Sequence, residues 1–234
     1  MLRQITAIIP ASGVGSRMNA DIPKQYLQLQ GKTILAHSIE PFLQHPQIHN
    51  VIVAVSPEDT FYSNLTILKS DKVQIVYGGK TRAESVFNAL QIVDDTSWTL
   101  VHDAARPCLK RSDLDKILQI NDENGAILAT ITTDTIKRTN KENRIISTED
   151  RCSLWRALTP QFFNAGLLKK ALINAFEQNL TVTDEASAME LLGYSPLLVQ
   201  GRSDNLKITH SEDLALAEFY LAKNNANTNI RREE

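Results

Sequence analysis

The sequence predicts an α/β fold, a largely parallel sheet with helices on both faces. Short apolar runs alternate with stretches of helical spacing about ten residues long, which is the pattern of βαβ units. The run Val51–Ser56 is β-branched and apolar on both faces, as a strand buried on two sides must be. The chain has 234 residues, 42% of them hydrophobic and 22% charged, which is enough apolar chain for one sizeable core.

The elements follow in order. Thr6–Pro10 is a first strand ending in a glycine-containing loop. Thr33–Leu43 has helical spacing through Ile34, Leu35, Ile39 and Phe42. After Val51–Ser56, Glu58–Leu68 reads as a helix and Val73–Val76 as a strand. Ala83–Val93 is a helix with Val86, Ala89, Leu90 and Val93 on one side. Thr99–His102 is a strand, Ser112–Asn121 a helix and Ala126–Thr130 a strand. Thr135–Thr148 alternates around a polar turn at Asn140–Asn143, a hairpin pattern with too little apolar surface to stand alone. A helix near Asn164–Gln178 and one opening at Asp184 come next. Strands are then expected at Pro196–Val199 and Asn205–Ile208, with a last helix at Ser211–Ala222 capped by Ser211. The tail from Asn224 to Glu234 is polar and expected to fray. In such a sheet, ligands sit at the carboxyl ends of the strands. That singles out Pro10–Met18, Gly78–Arg82 and Asp103–Pro107.

Twenty-five Lys and Arg oppose 27 Asp and Glu, a formal charge of −2, which disfavours a nucleic-acid or membrane-surface binder but leaves room for a local basic pocket. Two cysteines exclude a disulfide scaffold and a cysteine-rich zinc site. No segment has the hydrophobicity of a signal peptide, and none reaches the ~18 apolar residues of a membrane span, so a cytoplasmic protein is expected.

Pro10-Ala-Ser-Gly-Val-Gly-Ser-Arg-Met18 follows the first strand. Its small residues let a nucleotide approach the backbone, and successive N–H groups in such a turn form an anion nest. Met18 stands where a dinucleotide fingerprint needs its third glycine, and the Lys-Ser/Thr of a Walker loop is missing. Arg17 and Lys24 suit a triphosphate, and a glycine-rich turn with two surface cations is the plainer alternative.

Six linked segments carry a resemblance that no single loop does. They are Pro10–Met18 with Pro23-Lys-Gln-Tyr26, Val101-His-Asp-Ala-Ala-Arg-Pro107, Leu158-Thr-Pro-Gln-Phe162, Thr183-Asp-Glu-Ala-Ser187 and Gly201-Arg-Ser-Asp-Asn-Leu-Lys-Ile-Thr209. In order and spacing, from Ile5 to Lys223, they resemble the 2-C-methyl-D-erythritol 4-phosphate cytidylyltransferase family. The resemblance implies a single nucleotidyltransferase domain over residues 1–223 with a Rossmann-like sheet. A protruding β-arm at about 135–150 would clasp a second copy in a homodimer. It also implies reaction of CTP with methylerythritol phosphate to give a CDP-linked alcohol and pyrophosphate on the way to isoprenoid precursors.

That chemistry joins a phosphate oxygen to the α-phosphorus of CTP. The nucleophile is already anionic, because the second pKa of a phosphate monoester is about 6. The lack of a Ser-His-Asp or Cys-His set is then no obstacle, and fixed cations with a divalent metal have to hold the accumulating charge. By resemblance, Arg17, Lys24 and Lys207 face the phosphates and Arg151 holds the incoming phosphomonoester. Mg²⁺ bridges phosphate oxygens, with few or no protein ligands. The cytosine and nucleotide positions correspond to Ala11, Ser12, Gly13, Gly79 and Ser85, where Ser85 reads a base or starts a helix. Lys80 stands where some relatives carry an acid, and no base contact is assigned to it. Asp103 accepts from the diol, and Arg106 fixes the phosphate or braces its loop. Thr135, Arg151 and Thr159 are expected to act across the dimer. Thr183 donates from the same chain or caps a helix. His102 reads as a packed or surface histidine rather than a metal ligand. The related ribitol-5-phosphate enzymes, a noncatalytic nucleotide-binding module and an NAD-dependent oxidoreductase are the rival assignments. Met18 disfavours the last.

Overall fold

The computed structural model describes residues 3–13 and 22–230 of the chain. β1 (Ile5–Pro10) is followed by a small hairpin, β2 (Gln28–Leu29) and β3 (Lys32–Thr33), and by α1 (Ile34–Gln44). Then come β4 (Asn50–Val55), β5 (Val73–Tyr77), α2 (Arg82–Leu90), β6 (Trp98–Val101), α3 (Arg111–Ile117) and β7 (Ala126–Ile131). A second hairpin is made of β8 (Lys137–Thr139) and β9 (Ile145–Thr148). β10 (Trp155–Asn164), α4 (Ala165–Glu177), α5 (Glu185–Leu191), β11 (Leu197–Gln200) and α6 (Glu212–Ile230) complete the chain.

Seven strands form one sheet in the order β11-β7-β10-β6-β1-β4-β5. Only β10 runs antiparallel to its neighbours. Alternation along the strands divides the core as predicted. Ala7, Ile9, Val51, Val53 and Leu100 face α1 and α3, while Ile8, Ile52 and Val101 face α2, α4 and α5. From β1 the chain moves outward through β4 to β5, then returns to place β6 on the other side of β1. This reversal opens a crevice at the carboxyl ends of β1 and β6, where an open α/β sheet binds its ligands.

The elements differ from the sequence reading in several places. Glu58–Leu68 is not a helix but two 3₁₀ turns, Tyr62–Asn64 and Thr66–Lys69. The Asp59 carboxylate accepts from the N–H groups of Phe61 and Tyr62, so a side chain competes with the helical ladder. α3 stops at Ile117, short of Asn121. β10 escaped the sequence because Pro160 argues against a central strand. Its pairing with β7 is indeed interrupted between Ala157 and Gln161. Asn205–Ile208 is loop, not strand, and lies against the segment after β6 through Ile208 N–H to Ala105 O at 2.8 Å. α6 begins where expected, and the carboxylate of Asp213 in its first turn accepts from the Thr209 and His210 N–H groups ahead of it. The helix continues past Ala222 to Ile230. The β8–β9 hairpin is exposed along both strands. Among the described residues, no helix is long and apolar enough to cross a membrane.

Candidate active site

Three loops meet at the crevice. The first continues β1 through Ala11, Ser12 and Gly13, and Gln25 fixes it by donating its amide to Ala11 O at 2.9 Å and Gly13 O at 3.1 Å. The second joins β5 to α2. There Ser85 Oγ donates to Thr81 O at 2.8 Å and accepts from Gly79 N–H at 3.1 Å. With its own proton used, it accepts from Ser12 Oγ at 2.7 Å. Gly78 has to be glycine for these loops to close, because a Cβ there would lie 2.7 Å from Ser85 Oγ and 2.8 Å from Ser12 Cβ. The third loop, after β6, holds Asp103 and Arg106.

Two cavities open between these loops. The first is about 420 Å³, and Ala11, Ser12, Gly13, Lys24, Lys80 and Thr81 are in its wall. The second is about 200 Å³, and Arg106, Thr159, Gln161, Thr183 and Asp184 are in its wall. Arg82, Asp103 and Lys207 line both. Lys24 donates to the carbonyl of Ile208 at 2.8 Å, tying the first loop's cation to the loop that carries Lys207. Among the described residues lining the first cavity are four cations, Lys24, Lys80, Arg82 and Lys207, and a single carboxylate, Asp103. Such a wall suits a polyanion.

Asp103 is 7% exposed and has three cationic partners. Its Oδ1 accepts from Arg82 Nε at 2.9 Å, and its Oδ2 from Lys207 Nζ at 3.0 Å and Arg106 Nε at 3.2 Å. Burial alone would raise its pKa, but Arg82, Lys207 and Arg106 together hold it well below the usual carboxylate range. It is therefore an ionised acceptor at neutral pH. Burial works against the charge on Arg82, and Glu185 and Asp103 override it.

His102, which is fully buried, orders the backbone behind Asp103. Its Nε2 donates to Arg106 O at 3.1 Å, so in the neutral ring Nδ1 accepts from the Thr159 hydroxyl at 2.9 Å. That hydroxyl in turn accepts from Asp103 N–H at 3.1 Å. Protonation of Nδ1 would turn this acceptor into a donor and break the chain. Burial depresses the His102 pKa from 6.5 to about 4. In that window the unfolded chain binds the extra proton, so the stability is full above pH 6.5 and is lost as pH falls toward 4. A shift of that size corresponds to about 3 kcal/mol. Denaturant titrations between pH 4 and 7 should show this loss in the wild type and a flatter profile in His102→Gln.

The structure brings together most of the residues expected from sequence. Ala11, Ser12, Gly13, Lys24, Asp103 and Lys207 line the first cavity, and Asp103, Arg106, Thr159, Thr183 and Lys207 the second. Gly79 and Ser85 support the second loop without lining either cavity, and Ser85 is fully buried with its hydroxyl committed. Thr159 lines its own chain's cavity and uses its hydroxyl internally, which corrects the expectation that it reaches across a dimer. Arg106 braces its loop by donating to Asn205 O at 2.7 Å and also faces the second cavity. Asp184 caps α5, accepting from Ser187 N–H at 2.9 Å. Thr135 and Arg151 stand outside both cavities. Arg151 is exposed and donates to Thr133 O at 2.5 Å. Arg17 lies outside the described residues. Sequence reading gave no role to Arg82, Gln25 or Glu185. Arg82 had a signal, since it ends the Gly78–Arg82 loop at a strand's carboxyl end.

A family model described as 2-C-methyl-D-erythritol 4-phosphate cytidylyltransferase (IspD) matches residues 5–223. A protein of that name from Actinobacillus pleuropneumoniae serotype 7 is 66% identical over 224 residues, spanning 96% of this chain and 99% of the relative. One from Haemophilus ducreyi is 64% identical over 221 residues, spanning 94% and 97%. The crystal structure of the Francisella tularensis protein of the same name superposes with a TM-score of 0.81 at 37% identity, covering 93% of this chain and 99% of that one.

Proposed function

Because the chain belongs to the 2-C-methyl-D-erythritol 4-phosphate cytidylyltransferase family, it joins CTP to 2-C-methyl-D-erythritol 4-phosphate in isoprenoid-precursor biosynthesis, and we propose that its two cavities divide these substrates. The products are 4-diphosphocytidyl-2-C-methyl-D-erythritol and pyrophosphate. CTP takes the larger cavity, with the base toward Ala11–Gly13 and the Gly79–Ser85 loop. The polyol phosphate takes the smaller one, its hydroxyls donating to Asp103. The observation that carries this division is the wall that the cavities share, Arg82, Asp103 and Lys207.

A phosphate oxygen of the alcohol attacks the α-phosphorus in line. One P–O bond forms, the bond to the β-phosphate oxygen breaks, and pyrophosphate leaves with its electron pair. No proton has to be removed first. Lys24, Lys207 and Arg17 stabilise the charge that accumulates on the α-phosphate. Among the described residues, no cluster of three His, Cys, Asp or Glu side chains is placed to hold a metal. Asp103, the acid common to both cavities, is already ringed by cations. This donor set fits a Mg²⁺ that would be carried mainly by the triphosphate oxygens. Mg²⁺ would neutralise triphosphate charge when bound. The chain's own residues do the rest, acting as one domain over residues 1–223 in the cytoplasm.

Arg151 and Thr135 reach substrate in a homodimer, where the exposed β8–β9 arm of one copy closes the second cavity of the other. Exposed Ile136, Ile145 and Ile146 on this arm support such a docking. In a random mixture of Lys24→Ala and Arg151→Ala chains, half the dimers are mixed and each mixed dimer keeps one complete site. Activity should recover to about a quarter of wild type from two nearly inactive parents. No recovery under demonstrated subunit exchange would contradict a shared site.

A further inference from the structure

Glu185 is the first helical residue of α5, and its side chain is 1% exposed. A carboxylate removed from water is costly unless it is paired in good geometry. Arg82 meets it with a two-pronged grip, NH1 to Oε1 at 2.6 Å and NH2 to Oε2 at 3.0 Å. The Nε of the same guanidinium donates to Asp103 Oδ1 at 2.9 Å. One planar group therefore links α2, α5 and the loop after β6, and it does so in the wall common to both cavities.

The cations on the two Asp103 oxygens are not equivalent. Arg82 on Oδ1 is clamped from behind by Glu185. Lys207 shares Oδ2 with Arg106, but its side chain is 42% exposed and it stands on a loop. An arriving phosphate competes for Lys207 more readily than for Arg82, since Arg82 would have to leave a buried carboxylate unpaired. We propose that Glu185 is a positioning residue which, acting through Arg82, keeps Asp103 fixed for the polyol hydroxyls while Lys207 exchanges Asp103 for substrate phosphate. This rests on the assignment of Asp103 to the polyol made above.

The test is steady-state kinetics on the intact enzyme with both substrates varied, for wild type, Glu185→Gln, Arg82→Gln and the double variant. Glutamine keeps the size of Glu185 and removes its charge. KM for methylerythritol phosphate should rise about tenfold or more in Glu185→Gln, with KM for CTP within about threefold. In the Arg82→Gln background the second change should add less than about twofold, because the guanidinium through which it acts is gone. Losses that multiply, or equal rises in both KM values, would overturn the proposal. Should Glu185→Gln not fold, Arg82→Lys decides the matter. It keeps the charge but loses the fork, so the same selective rise is expected, and a wild-type KM for the polyol phosphate refutes the role. Lys207→Ala separates the two levels. Wild-type kcat there removes the site assignment itself, whereas a severe loss there with kinetically silent Glu185 variants removes only the positioning role.

Discussion

Lys24→Ala lowers kcat about 10²–10³-fold and leaves KM for methylerythritol phosphate within about threefold. The asymmetry follows from where charge changes. The alcohol's phosphate carries its charge before and after binding, but the α-phosphate gains charge only as the fifth oxygen approaches. A cation aimed at that point strengthens its interaction in the transition state and not before. Lys24 lines the larger cavity and is anchored beside Lys207 through the Ile208 carbonyl. It therefore stands on the nucleotide side of the junction. Stopped-flow or coupled pyrophosphate assays with each substrate varied check the outcome. A large rise in KM with kcat preserved would mean that Lys24 only helps substrate bind.

Asp103→Asn is expected to damage both stability and catalysis. The carboxylate compensates Arg82, Arg106 and Lys207 inside a wall where it is itself 7% exposed. Its loss leaves buried or half-buried cations facing a neutral amide, which costs about 3–5 kcal/mol. Asparagine also presents an N–H₂ to one of the diol hydroxyls, so KM for the polyol phosphate should rise by at least about tenfold. The pH dependence identifies the cause. Because the cations depress the Asp103 pKa in the folded protein, its contribution is complete above the unfolded carboxylate value near 4 and is lost as pH falls further. Asp103→Asn should lack this acid limb. It should retain the separate His102 limb between pH 6.5 and about 4. Equal acid sensitivity of variant and wild type below pH 4 would show that the ring of cations does not stabilise the fold.

Much of this candidate site is legible in the sequence, for physical reasons that differ residue by residue. β4 announces itself because a strand buried on both faces is apolar on both, and β1 and β6 read as short, mostly apolar runs whose carboxyl ends lead directly to Ala11–Gly13 and Asp103. Lys24 and Lys207 stood out through the motifs around them. β10 stayed hidden because Pro160, Thr159 and Gln161 make a poor strand sequence, and the irregular pairing at that point is what places Thr159 behind Asp103. Glu185 looks in sequence like an ordinary acid in the first turn of a helix, solvated and favoured there by the helix dipole. Its burial comes from Arg82, 103 residues earlier in the chain, and no local pattern reports a partner at that distance. The expected helix at Glu58–Leu68 failed for the opposite reason. A purely local competitor, the Asp59 side chain, captured the N–H groups that the helix needed.

A crystal structure of the enzyme with a non-reactive CTP analogue and methylerythritol phosphate tests the division of the two cavities most directly. The α-phosphate is expected between the ammonium groups of Lys24 and Lys207, with the polyol hydroxyls on Asp103 and the alcohol's phosphate oxygen aimed at the α-phosphorus. Ligands bound elsewhere, or an α-phosphate out of reach of both lysines, would contradict it.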